Sequence, residues 1–327
     1  MEFEFEKMDK TQSKLSVAVY GPSGAGKTVS ALKLAKGIQE RLYPNEKLED
    51  IGLYIDTERR SSTKVVGRNI GGEVLEPLEL YVFEPPFDIY KLAELVDYAV
   101  NVKHKKIIVI DSYTAFWSGV DGILDRVAEL DVELGSSKKA YGAWSEKEIV
   151  KKKNVLKNLM TNSEAHMIIC FRAKTEYVME ANARGKLAPR AVGLKEDMQQ
   201  DVRYEFDAVI SIDKETHDAE VVKDRIGFYE LRETSTTPTG PLTIGDGKCL
   251  AQLASEGLSL EEIARRKTDT MVNYILKAKA QNSSVVKALE VRMQVEFTPE
   301  VVRKISYDNL CKIVKALQWL GGKDNVI

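Results

Sequence analysis

The sequence predicts an α/β fold with a mostly parallel central sheet flanked by helices, followed by a small all-helical domain. Over residues 14–232, short apolar runs alternate with segments of helical periodicity, a pattern typical of βαβ units. A stretch rich in Thr, Gly and Pro at 233–250 indicates a linker. Only helical signals follow over 251–327. We therefore divide the chain into an N-terminal arm at 1–13, an α/β core, a linker and a helical C-terminal domain.

The individual elements follow from local composition and capping residues. Seven short runs predict strands, at 14–20, 52–56, 79–83, 106–111, 166–171, 207–212 and 219–224. The run at 106–111 is apolar enough for a buried strand, and the last two runs indicate a hairpin or neighbouring sheet edges. Helical periodicity is found at 27–42, from Asp88 to about 102, and through most of the stretch up to about 162. Capping residues predict four helix starts in the C-terminal domain, at Ser259 with Glu262, at Ser284, at Thr298-Pro299 and at Ser306.

Composition restricts the class of protein. The 327 residues are 43% hydrophobic and 30% charged, enough apolar material for a core, which argues against intrinsic disorder. Lys plus Arg number 48 and Asp plus Glu 50, so a globally basic DNA-coating protein is excluded while a local basic surface stays open. The three cysteines are far apart, which argues against a disulfide framework or a cysteine zinc site. The acidic N-terminus and the lack of a run of about 20 apolar residues predict no signal peptide, no membrane partner and a cytoplasmic location.

One motif carries a specific chemistry. The segment Gly21-Pro22-Ser23-Gly24-Ala25-Gly26-Lys27-Thr28 matches the phosphate-binding pattern G-x-x-x-x-G-K-[ST], between a predicted strand and a predicted helix. Its glycines allow several backbone N–H groups to point at one phosphate, and the helix adds its N-terminal partial charge. Lys27 can reach the β- and γ-phosphates and the Thr28 hydroxyl can bind magnesium. The sequence therefore predicts binding of ATP with Mg²⁺.

Two carboxylates are candidates for the rest of a nucleotide site. Asp111 ends the buried run Ile107–Asp111, where a second magnesium contact is needed. No carboxylate follows it directly, so another strand end must supply a base. Glu58 follows the strand at 52–56, which would lie near the phosphate loop in a parallel sheet. A glutamate at that place can orient and deprotonate water beside the γ-phosphate.

Taken together, these segments resemble the RecA-type ATPase core. The marks are the phosphate loop, the strand ending Asp56-Thr57-Glu58 and the strand ending Ile110-Asp111-Ser112. More narrowly, the segments 111–117, 171–177 and 203–207 resemble phage-type ATPases with a shortened RecA core, including phage single-strand-annealing proteins. The resemblance implies a RecA-like fold and ATP hydrolysis at subunit interfaces of a homo-oligomeric ring or filament on single-stranded DNA. It also implies the host cytoplasm as the location if the protein is phage-encoded.

The resemblance gives further residues candidate roles. Lys223 and Arg225 stand where related assemblies carry a cationic pair that reaches a neighbour's ATP, and a cation supplied in trans can neutralise charge on a transferring phosphoryl group. Arg172 stands where many relatives carry a glutamine that senses the γ-phosphate. The polar, basic segment 173–203 stands where relatives have a DNA-contacting loop. Its candidate DNA contacts are Lys174, Arg184, Lys186, Arg190 and Lys195.

Several alternatives stay open at this level. The leading hypothesis is a DNA-stimulated ATPase serving recombination, repair or strand annealing. A ring-forming helicase or helicase loader is a second hypothesis, and an annealing factor that uses ATP only as a switch is a third. The sequence leaves open whether the partner is DNA or RNA, whether the assembly is a ring or a filament, and whether residues 251–327 bind DNA, a protein partner or neighbouring subunits.

Overall fold

The computed structural model describes residues 8–135, 142–161, 164–181, 187–198, 202–235, 240–281 and 284–321. The chain forms two compact units. One is Ser13–Ser255, and the other joins Met1–Gln12 with Glu256–Ile327.

The first unit contains all the named strands of the described residues. Their bounds are β1 Ser16–Gly21, β2 Gly52–Asp56, β3 Asn69–Ile70, β4 Glu73–Val74, β5 Glu79–Val82, β6 Ile107–Asp111, β7 His166–Ala181, β8 Leu187–Glu196, β9 Ala208–Ile212 and β10 Ala219–Asp224. The seven strands predicted from the sequence are confirmed, apart from shifts of one or two residues at five strand ends and a much longer β7.

The helices of the first unit are α1 Lys27–Leu42, α2 Leu48–Ile51, α3 Ile89–Asn101, α4 Thr114–Ser118, α5 Ile123–Leu134, α6 Lys147–Thr161, α7 Phe228–Ser235 and α8 Ile244–Ser255. Helices α1, α3, α4 and α7 directly follow β1, β5, β6 and β10. The helices of the second unit are α9 Leu260–Ala280, α10 Ser284–Met293, α11 Pro299–Val302 and α12 Tyr307–Gly321. Within the described residues, no helix has both the length and the apolar character needed to cross a membrane.

The central sheet has the order β10-β9-β1-β7-β6-β2-β5, in which β10 is antiparallel to β9 and the other neighbours are parallel. Every residue of β1, β2 and β6 is buried, because helices cover both faces. Alternate strand residues enter two cores, one with α1 and α8 and one with α3 to α6. The predicted mostly parallel α/β fold with a RecA-like core is confirmed.

The structure differs from the sequence prediction at 233–250, which was expected to be a linker. The second half of that range belongs to α8, and α8 packs on α1. The two helices touch at glycines: a Cβ on Gly37 would lie 2.2 Å from the Ile244 carbonyl oxygen, and one on Gly247 would lie 2.5 Å from the Leu34 carbonyl oxygen. Because the obstacles are backbone atoms, only glycine allows this approach. The glycines that suggested a linker serve helix packing instead.

A buried ion pair explains why the chain from α7 to α8 stays with the α/β unit. Arg232 Nε lies 2.8 Å from Asp246 Oδ1, and both side chains are buried. Arg232 also donates to the carbonyl oxygen of Ala219, and Asp246 accepts from the backbone N–H of Thr243. Removing one partner of such a pair leaves an uncompensated buried charge, which is strongly destabilising. The first unit therefore ends at Ser255, after the predicted linker.

The segment expected as a basic loop is a hairpin in its described part. β7 continues for nine residues beyond Arg172, its last residue paired with β1, and β8 pairs antiparallel with that extension. We call Ala173–Ala181 and Leu187–Glu196 the hairpin arm. The sequence favoured a loop because the segment is polar and contains glycines, which are weak strand formers. Pairing of the two halves with each other overrides that preference.

The second unit has its own core, formed by α9 to α12 around Val272, Ile275, Phe297, Leu310 and Ile313. The predicted helix starts are confirmed: Ser259 accepts from the N–H of Glu262, Thr298 accepts from that of Val301, α10 begins at Ser284, and α12 begins directly after Ser306. The described part of the predicted N-terminal arm also belongs here, since Lys10 and Gln12 exchange backbone hydrogen bonds with Leu258.

His166 begins β7 and is buried as a neutral imidazole. Its Nδ1 accepts from the N–H of Leu15 at 3.1 Å, and its Nε2 lies 3.2 Å from the Tyr43 hydroxyl. Burial, with a smaller contribution from the charge of Lys14, lowers the pKa of His166 to about 3. This histidine therefore has a structural role at the amino-terminal ends of the parallel strands, on the side of the sheet opposite their carboxyl ends.

We expect His166 to make folding sensitive to acid. At pH values between the ordinary histidine pKa of 6.5 and the lowered pKa of about 3, the unfolded chain binds a proton that the folded chain does not. Stability is therefore complete above that range and falls as pH drops through it, by at most about 1.4 kcal/mol per pH unit. Urea unfolding of the wild type and of His166→Asn, which keeps an acceptor for Leu15, measures this. The wild type should lose about 2 kcal/mol more than the variant between about pH 6.5 and pH 5. Parallel pH profiles would contradict it.

Candidate functional site

The phosphate-loop segment joins β1 to α1 at the carboxyl edge of the sheet. Gly21 ends β1 and Lys27 begins α1. Gly24 and Gly26 have φ angles of 84° and 97°, in the left-handed region that favours glycine. A Cβ on Gly21 would lie 2.8 Å from the Ile212 carbonyl oxygen of β9. The glycines of the motif are thus required by the backbone path and by the neighbouring strand.

Lys27 lies across this loop. Its Nζ donates to the carbonyl oxygens of Gly21 at 3.0 Å and Pro22 at 2.9 Å, and the side chain is buried. The loop therefore holds the ammonium charge at the place where the motif binds phosphates.

Asp111, at the end of β6, is buried beside the loop. Its Oδ2 accepts from the Thr28 hydroxyl at 2.6 Å and from the Tyr54 hydroxyl at 2.7 Å. Its Oδ1 is buried and has no hydrogen-bond partner among the described residues. Burial raises the pKa of Asp111, while the two hydroxyl donors oppose that shift. A carboxylate oxygen without a partner beside a threonine hydroxyl is a donor set that Mg²⁺ prefers, so these residues fit the predicted ion.

Glu58 is carried on a short connection fixed by Asp56, whose role the sequence did not reveal. Asp56 is fully buried, and its carboxylate accepts from the Glu58 N–H at 2.7 Å and from the Ser62 hydroxyl at 2.7 Å. The N–H of Thr57 donates to the Asp111 carbonyl oxygen at 2.8 Å, which ties the end of β2 to the end of β6. The sequence signal for this role of Asp56 was an aspartate at a strand end followed by a serine six residues later.

These elements enclose one cleft of about 620 Å³. Its walls come from the phosphate loop, the start of α1, the connection after β2 and the end of the sheet portion of β7. The lining residues are Ser23, Gly24, Gly26, Lys27, Thr28, Val29, Glu58, Ser61, Val65, Arg172 and Ala173. The structure thus brings Lys27, Thr28, Glu58 and Arg172 to one place, with Asp111 directly behind Thr28.

Arg172 forms an ion pair with Glu58 inside this cleft. Its Nε and Nη2 each lie 3.1 Å from Glu58 Oε1. The pair is partly exposed, and such pairs contribute about 1 kcal/mol or less, so it can be exchanged at little cost for contacts with a bound phosphate. Arg172 pairs in register with Gly21, which places it directly beside the phosphate loop.

Lys223 and Arg225 lie away from this cleft in their own chain. Asp224 pairs with Ala208, and Ala208 pairs with Val17, so the two cations flank the beginning of β1, whereas the loop follows its end. Lys223 Nζ donates to the carbonyl oxygens of Arg203 and Phe206 at 2.7 Å each, and burial lowers its pKa. Arg225 Nη2 donates to the Tyr204 carbonyl oxygen at 2.5 Å.

Three of the candidate DNA-contact residues, Lys174, Arg190 and Lys195, fall on the hairpin arm. Lys174 Nζ lies 2.8 Å from Asp197 Oδ1, a partner that a phosphate group would have to replace. The backbone of Arg190 and Lys195 belongs to β8, in register with Val178 and Lys174 respectively. Arg184 and Lys186 lie outside the described residues.

The comparisons with known proteins agree with this geometry. The family model of the AAA domain, AAA_24, matches residues 13–241, more than half of the chain. The chain therefore belongs to this AAA-domain family. With the sheet order and the phosphate loop described above, it contains a RecA-like P-loop ATPase domain.

Among solved structures, the chain is similar to a KaiC-like protein from the hyperthermophilic archaeon Pyrococcus horikoshii OT3. The two share 14% identity at a TM-score of 0.34, over 64% of this chain and 79% of the archaeal one. No curated protein matches the chain.

The cleft predicts different effects for two substitutions. Glu58→Gln should leave ATP bound but slow hydrolysis at least about 100-fold, because the amide cannot accept a proton from water. Lys27→Ala should lose ATP binding itself, because it removes the charge held inside the loop. Phosphate release and binding of a fluorescent ATP analogue distinguish the two effects. The control is Glu94→Gln, an exposed glutamate on α3. Normal turnover in Glu58→Gln would exclude Glu58 as the base.

Proposed function

We propose that the protein binds ATP with Mg²⁺ in this cleft, hydrolyses it, and acts as a homo-oligomeric ring or filament on single-stranded DNA in phage-type recombination, repair or strand annealing. The observation that carries the hydrolytic part is the meeting of Lys27, Thr28 and Glu58 at one cleft with the unsatisfied Asp111 oxygen behind it. The DNA and phage parts are supported by the sequence resemblance and by the position of the hairpin arm.

The residues of the cleft divide the chemistry among them. Thr28 and Asp111 would hold the magnesium ion, which when bound supplies positive charge against the phosphates. Lys27 adds its charge from inside the loop. Glu58 orients a water molecule and accepts its proton. Asp56 keeps Glu58 in position through the backbone N–H of the glutamate itself.

Arg172 couples the base to the nucleotide in this proposal. Its guanidinium holds the Glu58 carboxylate in the structure described here. A γ-phosphate entering beside Gly21 offers the guanidinium a stronger, bidentate partner. Arg172 would then leave Glu58, and the carboxylate would be available to water only when the γ-phosphate is present.

The hairpin arm connects this cleft to the proposed contacts with a nucleic acid. Arg172 and Ala173 line the cleft, and the same strand continues without interruption into the arm that carries Lys174. Contact of a DNA strand with the hairpin arm can therefore shift Arg172, so ATP hydrolysis and DNA binding are expected to affect each other.

The rate of ATP turnover, measured with and without single-stranded DNA, tests this coupling. Strand displacement would indicate a motor instead, and negligible turnover would indicate an ATP-dependent switch.

We expect the hairpin arm, together with the segment that joins its two halves in the sequence, to bind single strands through phosphate contacts. Changing Arg184, Lys186 and Arg190 to Ala should weaken binding equally for all sequences and flatten the salt dependence by about 0.7 per lost contact. Binding measured by fluorescence anisotropy at several salt concentrations provides the slope. The matched control changes three exposed cations at the other end of the sheet, Arg41, Lys47 and Lys103. An unchanged slope in the arm variant would place the DNA site elsewhere.

The oligomeric part of the proposal is supported by the position of Lys223 and Arg225. Both lie on or directly after β10, the edge strand of the sheet, and Arg225 is exposed. Since they do not reach their own cleft, a role in hydrolysis requires that a neighbouring subunit approach this edge.

Mixing two inactive variants tests the shared site. Lys27→Ala has a defective phosphate loop but keeps both cations at the sheet edge. Arg225→Ala keeps an intact phosphate loop but lacks one of those cations. Each alone should be nearly inactive, because a cation supplied in trans is worth about 10³ or more in rate. Mixed, they should form some interfaces with an intact loop and an intact Arg225, so phosphate release should exceed the sum of the two. If subunits exchange and the mixture stays inactive, Arg225 does not act in trans.

A further inference from the structure

The turn between β9 and β10 touches the phosphate loop through one histidine. His217 Nδ1 lies 3.0 Å from the carbonyl oxygen of Ala25. A carbonyl oxygen only accepts, so Nδ1 carries the hydrogen and donates it. A Cβ placed on Gly26 would lie 3.7 Å from the same nitrogen, so the imidazole packs against the loop at both residues.

The turn is built to hold this side chain in place. The carboxylate of Asp213 accepts from the N–H groups of Glu215 and Thr216, at 2.7 and 2.9 Å, and these bonds lower the pKa of Asp213. The N–H of Asp213 donates to the Asp218 carbonyl oxygen and closes the turn. His217 itself has a φ of 63°, a left-handed conformation that costs about 1 kcal/mol in any residue with a Cβ. A glycine would relieve that cost but would lose the contact with the loop.

The contact fixes the orientation of a peptide unit that the phosphate site needs. In a trans peptide the C=O and N–H bonds point in opposite directions. The Ala25 carbonyl points to His217, so the N–H of Gly26 points away from the histidine. Gly26 lines the cleft and has a φ of 97°, so without a side chain of its own it has few restraints on this orientation.

We propose that His217 is a positioning residue that presets the Gly26 amide for a nucleotide phosphate. The inference rests on the proposed nucleotide site. His217 is exposed and lies outside the hydrophobic cores, so its contribution is to the geometry of the loop and not to folding. An amide already directed at the phosphate does not have to be ordered on binding, which improves affinity.

Two substitutions separate the side-chain donor from the backbone. His217→Asn tolerates the left-handed φ and places an amide N–H close to the position of Nδ1. His217→Gly tolerates the same φ and has no donor. Affinities for ADP and for a fluorescent, non-hydrolysable ATP analogue with Mg²⁺ are measured for both and for the wild type. Thermal unfolding without nucleotide is measured in parallel.

We expect His217→Gly to bind both nucleotides roughly 3- to 10-fold more weakly, the range for one lost hydrogen bond. His217→Asn should stay within about 2-fold of the wild type. Unfolding temperatures should change little, since the turn keeps its Asp213 bonds and, in His217→Gly, relief of the left-handed backbone offsets the lost hydrogen bond. Wild-type affinity in His217→Gly would overturn the inference while leaving the proposed function intact. Equal weakening in both variants would also overturn it. Absence of nucleotide binding in the wild type would instead overturn the proposed function and this inference with it.

Discussion

The architecture of the site depends on one buried carboxylate. Asp111 lies at the end of β6 and is buried. Burying a carboxylate is costly unless its oxygens accept hydrogen bonds or contact a cation. One oxygen is satisfied by hydroxyls from two other elements, Thr28 at the start of α1 and Tyr54 of β2. The other has no partner among the described residues. The protein therefore holds three elements, β6, β2 and the start of α1, together around a negative charge that is only half compensated, which favours the binding of a cation.

The rest of the cleft is arranged around this point by backbone contacts. Asp56 fixes the N–H of Glu58, Thr57 bonds to the Asp111 carbonyl oxygen, and the close approach of Gly21 to β9 sets the path of the phosphate loop. The partly exposed Glu58–Arg172 pair is a contact that a bound nucleotide would meet and could replace. A rigid frame with exchangeable ion pairs at its surface suits a site that must respond to the presence of a γ-phosphate.

Sequence patterns were sufficient where one residue type or one period decides the structure. The buried strands, the loop glycines and the caps at Ser259 and Thr298 are of this kind. Features that depend on a distant partner were not predictable. The hairpin arm forms because its two polar halves pair with each other, and α8 is part of the core because Gly247 meets Gly37, more than two hundred residues earlier. Asp56 and His217 likewise acquire their contacts only through the fold.

We propose that Asp111 and Thr28 form a magnesium site within a nucleotide cleft. Affinity for a non-hydrolysable ATP analogue, measured with and without Mg²⁺ in the wild type and in Asp111→Asn, tests it most directly. Tyr54→Phe is the matched control, since it removes a donor to the same carboxylate without changing its charge. We expect Mg²⁺ to tighten binding in the wild type and in Tyr54→Phe but to have little effect in Asp111→Asn, whose affinity without Mg²⁺ is retained. An equal gain from Mg²⁺ in all three proteins would contradict it.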